Sequence, residues 1–279
     1  MRVENTTVYV ADVQIADISL LKTALAGNTY ARNLTTTTYE GDTIKITIDQ
    51  WCYAFNRTNL RFFVANVYVS DPAQMQTAFA GEQYSKNNAE ATSAIAERHD
   101  AILAINGDYY GAQERGYVLR NGVLYRASAQ SGTDALVIGA DGNFRIINEG
   151  ETSADTLVRE GAWQVLTFGP ALINGGQVTV SSSDEVGRAM TSNPRTAIGQ
   201  ISEGHYLLVV SDGRTKESTG LSLRQLAELM QSLGAQVAYN LDGGGSSTMV
   251  FQGRVVNNPT TNGRSIRERS VSDIVYIGY

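Results

Sequence analysis

Three apolar, strand-like runs of this chain end in a turn containing aspartate and glycine, and this pattern constrains the fold more than any other feature. The runs occupy residues 101 to 108 (AILAINGD), 206 to 213 (YLLVVSDG) and 235 to 243 (AQVAYNLDG). Short apolar runs bounded by such turns are typical of buried strands. We therefore expect three strands whose polar ends converge at one edge of a sheet, where functional residues are commonly presented.

The turn after the third run is the candidate functional loop. It is followed by a further apolar run, residues 248 to 251, so that a strand, a bend and a second strand are predicted. Consecutive glycines have no Cβ, which lets backbone N–H groups approach a ligand closely or take positive φ. A flexible Gly/Ser connection is the alternative, but such connections rarely interrupt two β-type runs directly after an acid. The loop combines an acid, three glycines and two hydroxyls: Asp242, Gly243, Gly244, Gly245, Ser246 and Ser247.

Length and charge limit the class of protein. The 279 residues, 42% of them hydrophobic, are enough for one large domain or two modest ones. No apolar run reaches 18 residues, so no membrane span is expected, and the first residues lack the apolar stretch of a signal peptide. The net charge of −6 and the lack of a Lys/Arg run argue against a nucleic-acid partner. An anionic substrate must therefore be bound by local arginines.

Cysteine and histidine provide little chemistry in this chain. Cys52 has no second cysteine to pair with, and together with His99 and His205 it gives too few ligands for a usual structural zinc site. His205 begins an apolar run and is expected to be structural. The glycine loop also lacks the last glycine of a Gly-x-Ser-x-Gly nucleophile motif, which argues against a serine hydrolase. We expect no cofactor, although an oxygen-ligated cation such as calcium remains open.

An internal duplication lies at the start of the chain. Residues 8 to 33 recur as residues 62 to 87, with ten of 26 positions identical, and each copy predicts a strand, an Asp cap and a short helix ending at glycine. The copies could form two symmetry-like strands of one sheet. Alternatively, the first copy could add a strand to a neighbouring sheet or a partner, giving a homo-oligomer. We assign residues 1–38 to an N-terminal extension and residues 39–279 to the main domain.

Local signals elsewhere predict mainly strands. Asn121-Gly122 and Asp141-Gly142 each separate two alternating runs and predict β-hairpins. Ser222 predicts the N-cap of a helix over residues 223 to 233, the most secure helix of the chain. The strand signals lack the regular helix alternation of a doubly wound fold. We therefore predict a mixed α/β or α+β fold, with large twisted, partly antiparallel sheets and few flanking helices.

The motifs together resemble those of the phosphodiester glycosidase family. The resemblance covers about residues 62 to 279, and it is carried by the order and spacing of the motifs rather than by any one of them. They are Asn106-Gly-Asp-Tyr-Tyr110, Phe168-Gly-Pro170, Asn193-Pro-Arg-Thr196, Asp212-Gly-Arg214, Asn240-Leu-Asp-Gly-Gly-Gly-Ser-Ser247, and Arg269 before the last strand.

The resemblance implies hydrolysis of a sugar-1-phosphodiester at the sugar C1–O bond, which releases a free sugar and a phosphomonoester. Such chemistry generally uses two carboxyl groups, for which Asp242 and Asp108 are the candidates. Arg195 would neutralise the phosphate, with Arg120 or Arg269 as helpers, and Pro194 is expected to hold Arg195 at the rigid start of a strand. The loop amides and hydroxyls would hold phosphate or sugar oxygens, and Asp212 would accept hydrogen bonds from sugar hydroxyls. The full set of substrate-binding candidates is Asn106, Arg120, Asp212, Gly243, Gly244, Gly245, Ser246, Ser247 and Arg269.

Two other function classes fit the same residues. A non-catalytic module that binds cell-envelope polysaccharide would use the same cleft and aromatic residues without turnover. A peptide-binding or assembly module would be built on the duplicated N-terminal unit. By analogy with the family we expect a secreted or cell-envelope bacterial protein.

Overall fold

Eighteen strands and three α-helices make up the part of the chain that a computed structural model describes, residues 30–55, 58–181 and 192–279. The strands are β1 (Tyr30–Glu40), β2 (Ile44–Phe55), β3 (Thr58–Val69), β4 (Met75–Phe79), β5 (Leu103–Asn106), β6 (Val118–Arg120), β7 (Val123–Arg126), β8 (Asp134–Gly139), β9 (Phe144–Asn148), β10 (Ala162–Leu166), β11 (Ala171–Asn174), β12 (Gln177–Val178), β13 (Arg195–Ser202), β14 (His205–Ser211), β15 (Val237–Leu241), β16 (Met249–Phe251), β17 (Arg254–Val255) and β18 (Asp273–Ile277). The α-helices are α1 (Thr92–Arg98), α2 (Ala154–Arg159) and α3 (Leu223–Ser232).

These strands form three sheets. The largest has eight strands in the order β1-β2-β3-β14-β13-β15-β11-β12. Two five-stranded sheets have the orders β7-β6-β10-β8-β9 and β17-β16-β5-β18-β4. Every pairing between these described strands is antiparallel. The prediction of large sheets with few helices is confirmed, and antiparallel pairing extends further than expected.

Strand β14 is continuously apolar because both of its faces are buried. Tyr206, Leu208 and Val210 point into the core that the sheets share, whereas Leu207 and Val209 point into a second core on the opposite face. Because successive side chains of a strand alternate between faces, a strand covered on both sides must be apolar at every position. Helix α3 covers that second face, to which it contributes apolar side chains at helical spacing.

The local signals predicted the correct hairpins and the correct helix. Asn121 and Gly122 both have positive φ, 50° and 77°, which a two-residue hairpin turn between β6 and β7 requires. Asp141-Gly142 joins β8 to β9. Ser222 caps α3 and forms a capping box with Gln225.

The repeated unit does not form the helix that its sequence predicts. In the second copy Asp71 caps only a single 3₁₀ turn, Pro72–Gln74, and residues 75 to 79 then form strand β4 against β18. Pairing with β18 therefore overrides the local helical tendency. Residues 8 to 29 of the first copy lie outside the described residues. Strand β1 crosses the proposed boundary at residue 38 and pairs with β2, and the domain division stays a prediction.

The three polar strand ends meet at a junction between sheets instead of at one sheet edge. Strand β5 belongs to a five-stranded sheet, whereas β14 and β15 lie in the eight-stranded sheet. The buried Asn106 joins them, because its Nδ2 donates to Asp242 O at 2.7 Å and its Oδ1 accepts from Thr196 Oγ1 at 2.8 Å. The prediction that the three strand ends converge is thus confirmed, whereas the prediction that they share one sheet edge is wrong.

No helix among the described residues is both long enough and apolar enough to cross a membrane.

Candidate active site

The glycine loop follows β15 and is enclosed by neighbouring loops. It contains a 3₁₀ turn, Gly244–Ser246, in which Gly244 has φ 64°. A Cβ on Gly243 would lie only 2.9 Å from Pro194 O, and one on Gly245 would collide with Thr261. Glycine is therefore required here both for the backbone conformation and for close packing of the chain.

Asp242 and Arg269 form an ion pair at the base of this loop. Arg269 Nη2 lies 2.9 Å from Asp242 Oδ2 and 3.2 Å from Oδ1, and Arg269 Nε donates to Ser246 Oγ at 2.9 Å. The side chain of Arg269 is 39% exposed, whereas that of Asp242 is 8% exposed. The carboxylate is therefore mostly enclosed, and the cation beside it has access to solvent.

Burial and hydrogen bonding act in opposite directions on the Asp242 carboxyl. Burial raises its pKa above the ordinary value for aspartate, while the Ser246 hydroxyl, Arg269 and the Gly243 N–H oppose that rise. The Gly243 N–H donates to Asp242 Oδ1 at 2.8 Å. A carboxyl that is desolvated but still ion-paired suits charge stabilisation or attack at an electron-poor carbon.

The loop amides and hydroxyls are less available than the sequence suggested. Gly243 N–H is held by Asp242, and Gly244 N–H donates to Pro194 O at 2.9 Å. Ser246 Oγ is engaged by Arg269. Ser247 Oγ is buried and has no hydrogen-bond partner among the described residues. The structure therefore brings the predicted loop residues together, but several of their polar groups stabilise the loop itself.

Two further arginines flank the loop. Arg195 begins β13, is 7% exposed, and donates through Nε to Leu221 O at 2.9 Å. A Cβ added to Gly243 would lie 4.0 Å from Arg195 Cδ, so this arginine adjoins the loop. Arg214, which we did not assign to the site from sequence, holds Asn193 Oδ1 and Thr261 O, and its Nη2 would lie 2.9 Å from a Cβ on Gly244. The Asp-Gly-Arg motif was the available signal for it.

Asp108 and Arg120 lie in a separate buried cluster. Arg120 Nη2 contacts Asp108 Oδ2 and Asp273 Oδ2, both at 2.9 Å, and all three side chains are at most 2% exposed. Asp108 also accepts from Tyr110 N–H and Thr167 N–H. These residues, predicted as a catalytic carboxyl and a phosphate-binding arginine, are thus enclosed by protein groups.

The third member, Asp273, was missed by sequence reasoning because it only begins the last strand. Burial and the neighbouring Asp108 raise its pKa to about 7, and Arg120 opposes that rise. Its Oδ1 has no hydrogen-bond partner in the described part of the chain. The cluster therefore carries two carboxyls for one guanidinium.

Asp212 lies beside the glycine loop and is linked to it by Asn257. Asn257 Nδ2 contacts Asp212 Oδ1 at 3.3 Å and Ser247 O at 2.9 Å. Burial raises the pKa of Asp212, against the lowering effect of hydrogen bonds from Asn258 N–H and Asn257. Its Oδ2 accepts no hydrogen bond in the described structure, and Arg61 Nη1 lies 4.0 Å away. Asn257 carried no motif that would have identified it.

Asn106, predicted to bind substrate, has both ends of its amide occupied by the contacts that join the two sheets. The acidic residues also do not form a metal-binding cluster: within the described ranges, no three His, Cys, Asp or Glu side chains are grouped to hold an ion.

Several known proteins resemble this chain. The SPbeta prophage-derived uncharacterized protein YomE of Bacillus subtilis (strain 168) is 30% identical over 201 residues, which is 70% of this chain and 31% of that protein. The N-acetylglucosamine-1-phosphodiester alpha-N-acetylglucosaminidase of Mus musculus is 42% identical over 66 residues, 24% of this chain and 13% of the enzyme. The chain thus spans less than a third of the length of either relative.

Among solved structures, the catalytic domain of the zebrafish N-acetylglucosamine-1-phosphodiester alpha-N-acetylglucosaminidase, auto-inhibited by its pro-peptide, superposes with a TM-score of 0.70. The match covers 90% of this chain and 88% of that domain at 20% identity, so it establishes a shared fold. The phosphodiester glycosidase family model matches residues 99–278, which include the glycine loop, its flanking arginines and the buried cluster. The chain therefore belongs to the phosphodiester glycosidase family.

Proposed function

We propose that this chain hydrolyses the sugar C1–O bond of a sugar-1-phosphodiester and releases a free sugar and a phosphomonoester. The observation that carries the proposal is the Asp242–Arg269 pair in the glycine loop, where an enclosed carboxylate lies beside a solvent-accessible cation. The names of the mouse and zebrafish relatives point to the same class of substrate.

Asp242 is the carboxylate that we assign to the anomeric carbon. Glycoside cleavage passes through an oxocarbenium-like transition state, which an adjacent carboxylate can stabilise or attack. Burial raises the pKa of this carboxyl, the Ser246 hydroxyl and Arg269 oppose that rise, and the Gly243 N–H donates to its Oδ1. The stereochemical outcome depends on which of these two roles it has.

The phosphate is assigned to the arginines around the loop. A phosphodiester leaving group carries negative charge throughout the reaction, so it requires neutralisation more than protonation. Arg195, Arg214 and Arg269 adjoin successive residues of the loop and can present guanidinium groups to phosphate oxygens. This local positive charge would offset the net negative charge of the chain.

Asp212 is our candidate for any proton transfer that the reaction requires. Burial raises its pKa and its Oδ2 accepts no hydrogen bond in the described structure, which suits an acid or base beside the loop, whereas Asp108 is held by Arg120 at 2.9 Å. We assign Asp108 a positioning role, in which it fixes the segment that follows β5.

The test is release of free sugar from a panel of sugar-1-phosphodiesters that includes UDP-sugars and N-acetylglucosamine-1-phosphodiesters. We expect turnover by the wild type, and its loss in Asp242→Asn and Arg195→Ala with unchanged circular dichroism. Asp141→Asn, in the β8–β9 turn, is the matched control and should keep wild-type activity. If the wild type turns over no diester yet binds glycan, the non-catalytic binding module becomes the better description.

A further inference from the structure

Tyr109 is an exposed aromatic residue within an otherwise buried segment. Every other residue from 101 to 111 is buried, whereas the side chain of Tyr109 is 43% exposed. Its neighbours in sequence, Asp108 and Tyr110, are both 0% exposed. The two tyrosines that follow Asp108 therefore have opposite environments, and only Tyr109 is available to a ligand.

The backbone of Tyr109 is held in an unfavourable conformation. Its φ of 68° and ψ of 25° place it in the left-handed region, which glycine or asparagine adopts far more readily than an aromatic residue. The turn is fixed on both sides: Tyr110 N–H donates to Asp108 Oδ1 at 3.1 Å, and Ala112 N–H donates to Tyr109 O at 3.2 Å. A turn of this shape has no need of a tyrosine, so the ring itself requires an explanation.

The ring lies next to the Asp242–Arg269 pair. Arg269 Cζ is 6.0 Å from the centroid of the Tyr109 ring, within the range of a cation–π contact. The same guanidinium contacts Asp242 Oδ2 at 2.9 Å. One side chain thus connects the exposed ring to the carboxylate, and the ring lies beside the Asp242–Arg269 pair.

We propose that Tyr109 is a sugar-stacking residue and that its ring selects the glycosyl group placed against Asp242. A pyranose presents a face of C–H groups that packs on an aromatic ring, while its hydroxyls remain free for polar contacts. The ligand class is therefore a hexose or N-acetylhexosamine joined to phosphate. Only the identity of this ligand rests on the proposed function; the position and exposure of the ring do not.

The experiment measures binding separately from turnover. The two probes are non-hydrolysable C-linked phosphonate esters, one of N-acetylglucosamine and one of glucose. Each is titrated calorimetrically into wild type, Tyr109→Asn, Tyr109→Phe and Tyr109→Trp. We expect Tyr109→Asn to weaken binding about tenfold, the order of effect for losing the burial of one ring face. The phenylalanine and tryptophan variants should bind the probes as tightly as the wild type. Because asparagine tolerates the left-handed conformation, the melting temperature of Tyr109→Asn should equal or exceed that of the wild type.

Two controls separate stacking from indirect effects. Tyr68→Asn replaces a tyrosine of similar exposure, 50%, which stacks on His205 at the other end of β14, and it should leave binding unchanged. Methyl phosphate tests whether Tyr109 acts only through Arg269, since stacking predicts that Tyr109→Asn binds it as the wild type does. If Tyr109→Asn lost affinity for methyl phosphate and for the sugar phosphonate by the same factor, the proposal would be overturned.

The remaining outcomes also decide between the two proposals. Equal binding of the sugar probe by wild type and Tyr109→Asn, or no binding by the wild type, rejects the stacking role. Sugar-selective binding that depends on Tyr109, without hydrolysis of any diester, would reject the proposed reaction and keep the stacking role.

Discussion

Two of the aspartate–arginine clusters among the described residues, Asp242–Arg269 and Asp108–Arg120–Asp273, differ in the exposure of their arginine to solvent. Arg269 is 39% exposed and holds one carboxylate, whereas Arg120 is 2% exposed and holds two. The first cluster lies in a glycine loop and the second lies beneath the strand ends. Charged pairs closed off from water fix structure, while a pair with one accessible member can exchange a protein contact for a ligand. Residue type alone therefore does not distinguish a reactive site from a structural one.

The largest effect is expected from breaking the buried cluster. Arg120→Met should lower the free energy of unfolding by about 3–5 kcal/mol, because it leaves Asp108 and Asp273 buried without their cation. Urea denaturation followed by tryptophan fluorescence measures this loss. A change below about 1 kcal/mol would show that the cluster contributes little to the stability of the fold.

The pair with the accessible arginine should respond differently. Arg269→Met should lower the free energy of unfolding by less than Arg120→Met does, because Arg269 is 39% exposed and Asp242 keeps its hydrogen bond from Gly243 N–H. Turnover of the diester should nevertheless fall about 100-fold, the loss expected when one group that stabilises developing charge is removed. If Arg269→Met lowered stability as much as Arg120→Met does, the distinction between the two clusters would be lost.

The buried cluster should also make stability depend on pH. The pKa of Asp273 is raised to about 7 in the folded protein from the ordinary value of 3.8, so the folded state binds more protons between these values. The contribution of Asp273 to stability therefore falls as the pH rises from about 4 to about 7. Asp273→Asn should remove this dependence, so that the variant gains stability relative to the wild type over that interval. Denaturation at a series of pH values tests it, and parallel curves for the two proteins would contradict the assignment.

The smallest effect is expected from comparing Gly244 of the glycine loop with Gly234, which follows α3. Gly244→Ala and Gly234→Ala both place a side chain at positive φ, 64° and 90°, and each should cost about 1 kcal/mol of stability. An added Cβ would meet nothing within 4 Å at Gly234 but would approach Arg214 Nη2 to 2.9 Å at Gly244. Only Gly244→Ala should therefore reduce turnover. Equal activity in the two variants would indicate that the Arg214 contact is dispensable.

Local sequence signals were sufficient for the hairpins and the capped helix, because a two-residue turn or an N-cap depends on a few adjacent residues. The same signals failed for residues 75 to 79, whose strand conformation depends on pairing with β18, nearly 200 residues away. Local chemistry likewise identified the loop around Asp242 correctly as a place where polar groups gather.

The roles of individual charged residues could not be predicted in the same way. Asp108 and Asp242 both follow apolar strands in the sequence. Only the structure shows that Asp108 is enclosed with Arg120 and Asp273. Arg120 and Arg269 have the same side chain, and burial alone separates their environments. Asn257 reaches the site from a loop with no distinguishing pattern. Such features depend on contacts between distant segments, which a single sequence does not reveal.

We expect the link formed by Asn106 to make assembly of the candidate site a late step of folding. Its hydrogen bond to Asp242 O spans 136 positions of the chain and joins two sheets. Contacts of such long sequence separation form slowly, because closing a long loop costs entropy before the contact stabilises the structure. Partly folded chains with native-like hairpins would still lack an assembled site. Enzyme turnover during refolding should therefore lag behind the recovery of circular dichroism and report the moment at which the sheets dock.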